Sequence, residues 1–167
     1  MPLQRLFAVF ILIVALTSLS VSLIAEHLFD KEPCILCLYQ QAPFLITGIL
    51  AITAMCLKPS SKLILVTFML CALIYLVGTG IAIYHVGVEQ HWWSSGCSGN
   101  LKQNATLEQL RASLMQKEVK SCDDADWVLF GISMATYNVF FSSALGLASI
   151  VASMQLSKTL KGKKDND

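Results

Sequence analysis

Pro33-Cys-Ile-Leu-Cys-Leu-Tyr-Gln-Gln-Ala-Pro-Phe-Leu-Ile-Thr-Gly-Ile-Leu-Ala-Ile-Thr-Ala-Met-Cys-Leu57 runs for 25 residues without a charged side chain. A bilayer core about 30 Å thick asks for about 20 helical residues with few charges. Residues 6–25, 63–84 and 127–156 form three more uncharged runs of that kind. Inside lipid each backbone amide must pair within its own segment, so runs of this length are read as helices. Barrel strands would be shorter and would alternate in polarity, a pattern this chain lacks. The sequence therefore predicts an all-α fold, one membrane domain over residues 1–167 built as a four-helix bundle. Its spans are expected at about 6–25, 38–57, 63–84 and 127–154. A helix starting only at Pro43 would be about 22 Å long at 1.5 Å per residue, too short to cross. The second helix is therefore expected to start close to Cys37 and to bend near Pro43.

Composition agrees. Hydrophobic residues make up 55% of the 167 and charged residues only 14%, against roughly 25% charged in soluble domains. That apolar fraction excludes a disordered chain. A net charge of +1 supplies no field for nucleic acid.

Basic residues orient the spans. Arg5, Lys58, Lys62, Lys158, Lys161, Lys163 and Lys164 crowd three short flanks, whereas Lys31, Lys102, Arg111, Lys117 and Lys120 are spread thinly. The positive-inside rule then puts both termini, the Lys58–Lys62 turn and the 155–167 tail in the cytoplasm. Loops 26–37 and 85–126 face outward, to the periplasm of a bacterium. The first apolar run is longer than a usual signal-peptide core, so it is read as a span, although Ser20 and Ser22 offer a small-residue pair for cleavage. In the long loop, Thr106-Leu-Glu-Gln109 fits a capping box, and Leu107, Leu110 and Leu114 recur at helical spacing. This predicts a short amphipathic helix near 107–116. Trp92, Trp93 and Trp127 suit an interfacial aromatic belt.

Topology sorts the six cysteines. Cys56 and Cys71 fall within spans, where cysteine packs as a small hydrophobe. Cys34, Cys37, Cys97 and Cys122 all fall outward, where an oxidising compartment preserves disulfides. Their connectivity has three solutions. Cys34-Ile-Leu-Cys37 opens span two, so Cys37 should sit near a helix N-terminus whose free amides and dipole favour a thiolate. Cys97, within Ser94-Ser-Gly-Cys-Ser-Gly99, is open to an incoming thiol. Cys122 precedes Asp123, Asp124 and Asp126, whose negative charge disfavours a resting thiolate and suits a sulfur released and recaptured. Two static disulfides bracing the loops would use the same four residues. A three-residue reach, however, removes little chain entropy, so a C-x-x-C bridge is a weak brace. Zinc ribbons need a second C-x-x-C knuckle, which is missing, and no metal site is expected.

This combination resembles the disulfide bond formation protein B (DsbB) family of bacterial inner membranes. The likeness rests on Glu32-Pro-Cys-Ile-Leu-Cys37 at span two and on the second cysteine pair. Tyr84-His85-Val-Gly-Val-Glu89 and Cys122-Asp-Asp-Ala-Asp-Trp127 before Phe130-Gly131 add to it. The resemblance implies a thiol oxidase that re-oxidises a periplasmic thioredoxin-fold oxidant of the DsbA type. Cys97, paired with Cys122 at rest, would take the mixed disulfide, and Cys122 would then attack Cys34. Cys37 would face a ubiquinone or menaquinone and pass the electron pair on. DsbA is poised near roughly −120 mV, so only a strongly oxidising acceptor drains it. Family members usually carry Arg four residues after the second C-x-x-C cysteine, and here that position is Gln41. Glutamine donates a hydrogen bond to a quinone carbonyl but cannot neutralise charge. His85 matches a family histidine near the quinone. Against this stand a non-enzymatic four-span scaffold with static disulfides and a paralogue with a dedicated partner. A vitamin K epoxide reductase-like enzyme ranks lower, because that family places its C-x-x-C on the last span.

Overall fold

A computed structural model describes residues 3–28, 33–57, 62–93, 121–123, 125 and 128–164. Four long helices carry the chain: α1 (Leu3–Leu28), α2 (Ile35–Cys56), α3 (Lys62–Glu89) and α4 (Met134–Lys164). At 1.5 Å per residue the shortest, α2, is about 33 Å long, enough for the hydrocarbon core. Leu63, Val66, Met69, Leu73 and Val77 on α3 are exposed. Apolar residues facing outward are what a helix presents to lipid rather than to water.

The expected bundle is present, with shifted edges. α3 runs on to Glu89, past the predicted end at Tyr84, so His85 belongs to the helix and not to the loop. α4 starts at Met134, seven residues later than expected. Residues 128–133 instead form a two-stranded antiparallel hairpin, β1 (Val128–Leu129) with β2 (Ile132–Ser133). Phe130 and Gly131 both have positive φ, 53° and 81°. A two-residue loop of that conformation is a type I′ turn, in which glycine is at ease. α2 starts at Ile35, with Cys34 as N-cap, and continues through Pro43. The predicted helix at 107–116 and Trp127 lie outside the described residues.

α1 packs on α2, α2 on α3 and α3 on α4, while α1 and α4 barely meet. The bundle is thus open along one side. Close approach is bought with small residues: a Cβ on Gly78 would lie 3.0 Å from Pro43 Cγ of α2. Small residues at such crossings are how helices in lipid maximise van der Waals contact. Three buried clusters stack along the bundle. At the far end Ala8, Ala54, Ile64, Phe68 and Leu156 meet; midway, Ile11, Phe44, Ala51, Cys71, Tyr75 and Leu145. At the opposite end, called here the disulfide end, Cys34, Leu36, Val88 and Cys122 meet.

Candidate functional site

Pro33 cannot extend a helix backward, and Cys34 adopts an extended conformation (φ −68°, ψ 163°) at the α2 N-cap. Its Sγ takes the place a serine or aspartate oxygen often fills, accepting the N–H of Cys37 at 3.2 Å. Cys34 and Cys37 form a disulfide with Cα atoms 5.1 Å apart. Cys34 is buried and Cys37 half-buried.

Across from the disulfide stands His85 of α3, 4% exposed, its Nε2 at 3.6 Å from Cys34 Sγ. Three polar side chains fix that ring. Ser142 Oγ donates to Asn138 Oδ1 at 2.9 Å, and Asn138 Nδ2 donates to Gln40 Oε1 at 2.6 Å. Gln40 is left only its amide hydrogens for the histidine, and its Nε2 lies 2.5 Å from His85 Nδ1. Nδ1 must therefore accept, so the neutral imidazole carries its proton on Nε2, facing the sulfur. The same Nε2 is 3.8 Å from Glu89 Oε1, and the ring also hydrogen-bonds the backbone of Cys122.

Cys122 is disulfide-bonded and fully buried, packed in the cluster that holds Cys34. The structure therefore brings together Cys34, Cys37, Cys122 and His85 from distant parts of the chain; Cys97 lies outside the described residues. Gln41 points elsewhere, donating to Ser22 Oγ of α1. Yet Gln41, His85 and the disulfide line one cavity of about 560 Å³. It sits against α1 and α4, where the bundle is open, and Ile13, Val21, Phe44 and Phe141 give it apolar walls. Cys56 and Cys71 are free thiols away from it, Cys71 buried in the middle cluster.

Sequence reasoning passed over Gln40, Asn138 and Ser142, and quoted Glu89 without a role. A polar side chain inside a membrane-length apolar run is itself a signal of a site. Cys34, Cys37 and His85 meet within 4.8 Å, but sulfurs joined to each other have no thiolate to offer a metal. The C-x-x-C caps the second helix, unlike the last-span position of the vitamin K epoxide reductase-like arrangement.

The family model described as disulfide bond formation protein DsbB matches residues 4–152. A disulfide bond formation protein B of Xylella fastidiosa (strain Temecula1 / ATCC 700964) is 29% identical over 134 residues, 76% of each chain. A disulfide bond formation protein B 2 of Pseudomonas savastanoi pv. phaseolicola is 28% identical over 134 residues, covering 73% of this chain and 72% of that one. An uncharacterized protein of Rickettsia prowazekii (strain Madrid E) is 26% identical over 136 residues, 79% of this chain and 77% of its own. A family match over nearly the whole chain thus joins a buried helix-capping disulfide in a four-helix bundle: this protein belongs to the DsbB family, multi-pass membrane proteins of disulfide bond formation.

Proposed function

We propose that this protein is a protein-dithiol:quinone oxidoreductase of the bacterial inner membrane. It re-oxidises a DsbA-like periplasmic carrier and passes two electrons to ubiquinone or menaquinone. Both termini are cytoplasmic and the disulfide end faces the periplasm, as the basic flanks require. The observation that carries the reading is the contact between the Cys34–Cys37 disulfide and a lipid-side cavity of about 560 Å³ that also holds His85.

The residues present fit a quinone. The cavity is within the usual roughly 300–1,000 Å³ of small-molecule sites, mostly apolar with a few convergent polar groups. Gln41 on its wall offers an amide donor that suits a quinone carbonyl. Bound there, the quinone would supply a two-electron acceptor beside the sulfurs. Cys97 exchanges with the carrier's thiolate, the released Cys122 attacks Cys34, and Cys37 is left facing the cavity. Burial of Cys122 beside Cys34 keeps that second exchange short and dry. The Cys37 N–H and the His85 Nε2–H hold the Cys34 sulfur in place for that attack, and the Cys37 thiolate it releases lies in the first turn of α2, where the helix N-terminus favours negative charge. Gln41 orients without charge, and neutral His85 contributes a hydrogen-bond donor rather than a charge.

The test is anaerobic absorbance on detergent-purified protein mixed with reduced DsbA and ubiquinone-1. The expected result is catalytic quinone loss by wild type and none by Cys37→Ser. No loss by wild type, repeated with a naphthoquinone, would sink the oxidase reading in favour of static disulfides.

A further inference from the structure

Glu89 is the last residue of α3, one helical turn beyond His85. Its side chain is only 7% exposed. Oε1 lies 3.8 Å from His85 Nε2, while Oε2 is buried with no hydrogen-bond partner among the described residues. Leaving a buried acceptor unsatisfied costs about 1–3 kcal/mol, and more for a charged group. Such a group in a native structure calls for an explanation.

Its surroundings provide one. The carboxyl lines the same cavity as Cys37 and Gln41. The groups around it are His85 on α3, the Cys34–Cys37 pair capping α2, the Ser133 hydroxyl of β2, which hydrogen-bonds the carboxyl group, and Tyr137 and Asn138 on α4. No Lys or Arg is among the described residues that line the cavity. The nearest ionisable partner, His85, has its Nδ1 taken by Gln40, so its one exchangeable edge is shared among the sulfur, the Cys122 backbone and Glu89. A carboxyl set between a redox disulfide and an apolar cavity, with one oxygen left over, is built to carry a proton.

We propose that Glu89 is a catalytic acid of the quinone step, handing the proton on its carboxyl to a quinone oxygen. This rests on the quinone reading above. Two thiols lose two electrons and two protons as one S–S bond forms, and the quinone gains two electrons and two protons. Glu89 delivers one of those protons and regains one from the aqueous phase at the disulfide end; that phase also supplies the second and receives the two from the thiols.

The full-length protein in nanodiscs tests this, with ubiquinone-1 as the probe and reduced DsbA as donor. Glu89→Gln is expected to lower kcat by at least about tenfold, with Glu89→Asp recovering part of the loss. KM for ubiquinone-1 should stay within about twofold, since binding is not the affected step. Independently of turnover, dicyclohexylcarbodiimide should label Glu89 in the wild type, found by mass spectrometry, and ubiquinone-1 should slow the labelling. Wild-type quinone turnover matched by Glu89→Gln overturns the proposal alone, as does a Glu89 that resists the carbodiimide. A wild type that consumes no ubiquinone-1 overturns the quinone reading beneath it. Should Glu89→Gln fail to fold, the wild-type labelling decides.

Discussion

At the far end of the bundle Ala8, Ala54, Ile64, Phe68 and Leu156 meet side chain to side chain. Hydroxyls of that half such as Thr53 and Thr67 donate to carbonyls of their own helices at 2.7 and 2.9 Å. At the disulfide end, by contrast, Gln40, His85 and Asn138 bond one another across three helices. A self-bonded hydroxyl satisfies itself without asking anything of a neighbouring helix, so the far end is registered mainly by shape, with one weak bond across helices from Ser153 Oγ to Met69 Sδ at 3.1 Å. The chain of bonds from Ser142 to His85 has a direction, and that direction selects one tautomer. Substitutions at the two ends should therefore fail differently, in stability at one and in chemistry at the other.

The cysteines give the largest contrast. Cys34→Ser removes the sulfur at the centre of the network, and oxidation of the DsbA-like carrier is expected to fall at least roughly a thousandfold. Cys71→Ser, in the middle cluster, should leave turnover per folded molecule within about twofold. Initial rates normalised to folded protein check both, and a large loss in Cys71→Ser would break the division between the ends.

Phe68→Ala probes the far end. Phe68 is 1% exposed and meets Phe7 edge-on at 5.1 Å between ring centroids. Its truncation should cost about 3 kcal/mol, the lower part of the range for buried Phe→Ala. Unfolding in mixed micelles against rising dodecyl sulfate measures this. Turnover per folded molecule should not change, because the ring lies in another cluster from the sulfurs.

Asn138→Leu acts on chemistry through position. Without the Asn138 donor, Gln40 is free to turn its oxygen toward His85, and the imidazole proton then divides between Nδ1 and Nε2. Losing one oriented hydrogen bond of about 1.4 kcal/mol corresponds to roughly tenfold in turnover. Nitrogen NMR of ¹⁵N-histidine-labelled protein should show the His85 tautomer change, which a merely structural loss would not produce.

Hydropathy made the four spans legible because lipid demands long uncharged helices, and C-x-x-C at a span's opening marked Cys34 and Cys37. The edges were less legible. Uncharged residues 128–133 read as helix by hydropathy, which is blind to the Phe130-Gly131 turn that folds them into a hairpin. α3 overran its predicted end because Val86, Gly87 and Val88 carry no charge to stop it, and Gly87 alone is a weak breaker. The polar relay was hidden for another reason. Gln40 and Asn138 are 98 residues apart, and neither residue alone says which partner the fold will bring.

Tyr75→Phe should give the smallest effect and sharpen the comparison most. The Tyr75 hydroxyl accepts from Thr47 at 2.9 Å, a bond between α3 and α2 midway along the bundle. Thr47 keeps a second acceptor, the carbonyl of Pro43 at 2.8 Å, so removing the tyrosine oxygen leaves no orphaned donor. The ring remains, packed edge-on against Phe44 with centroids 5.9 Å apart. Bonds between helices in lipid average about 0.6 kcal/mol, so the same micelle titration should register a loss of that order and no change in turnover. A larger loss of turnover would mean that the directional network extends from His85 down to the middle cluster. The boundary between the chemical and the structural half would then lie below Tyr75 rather than above it.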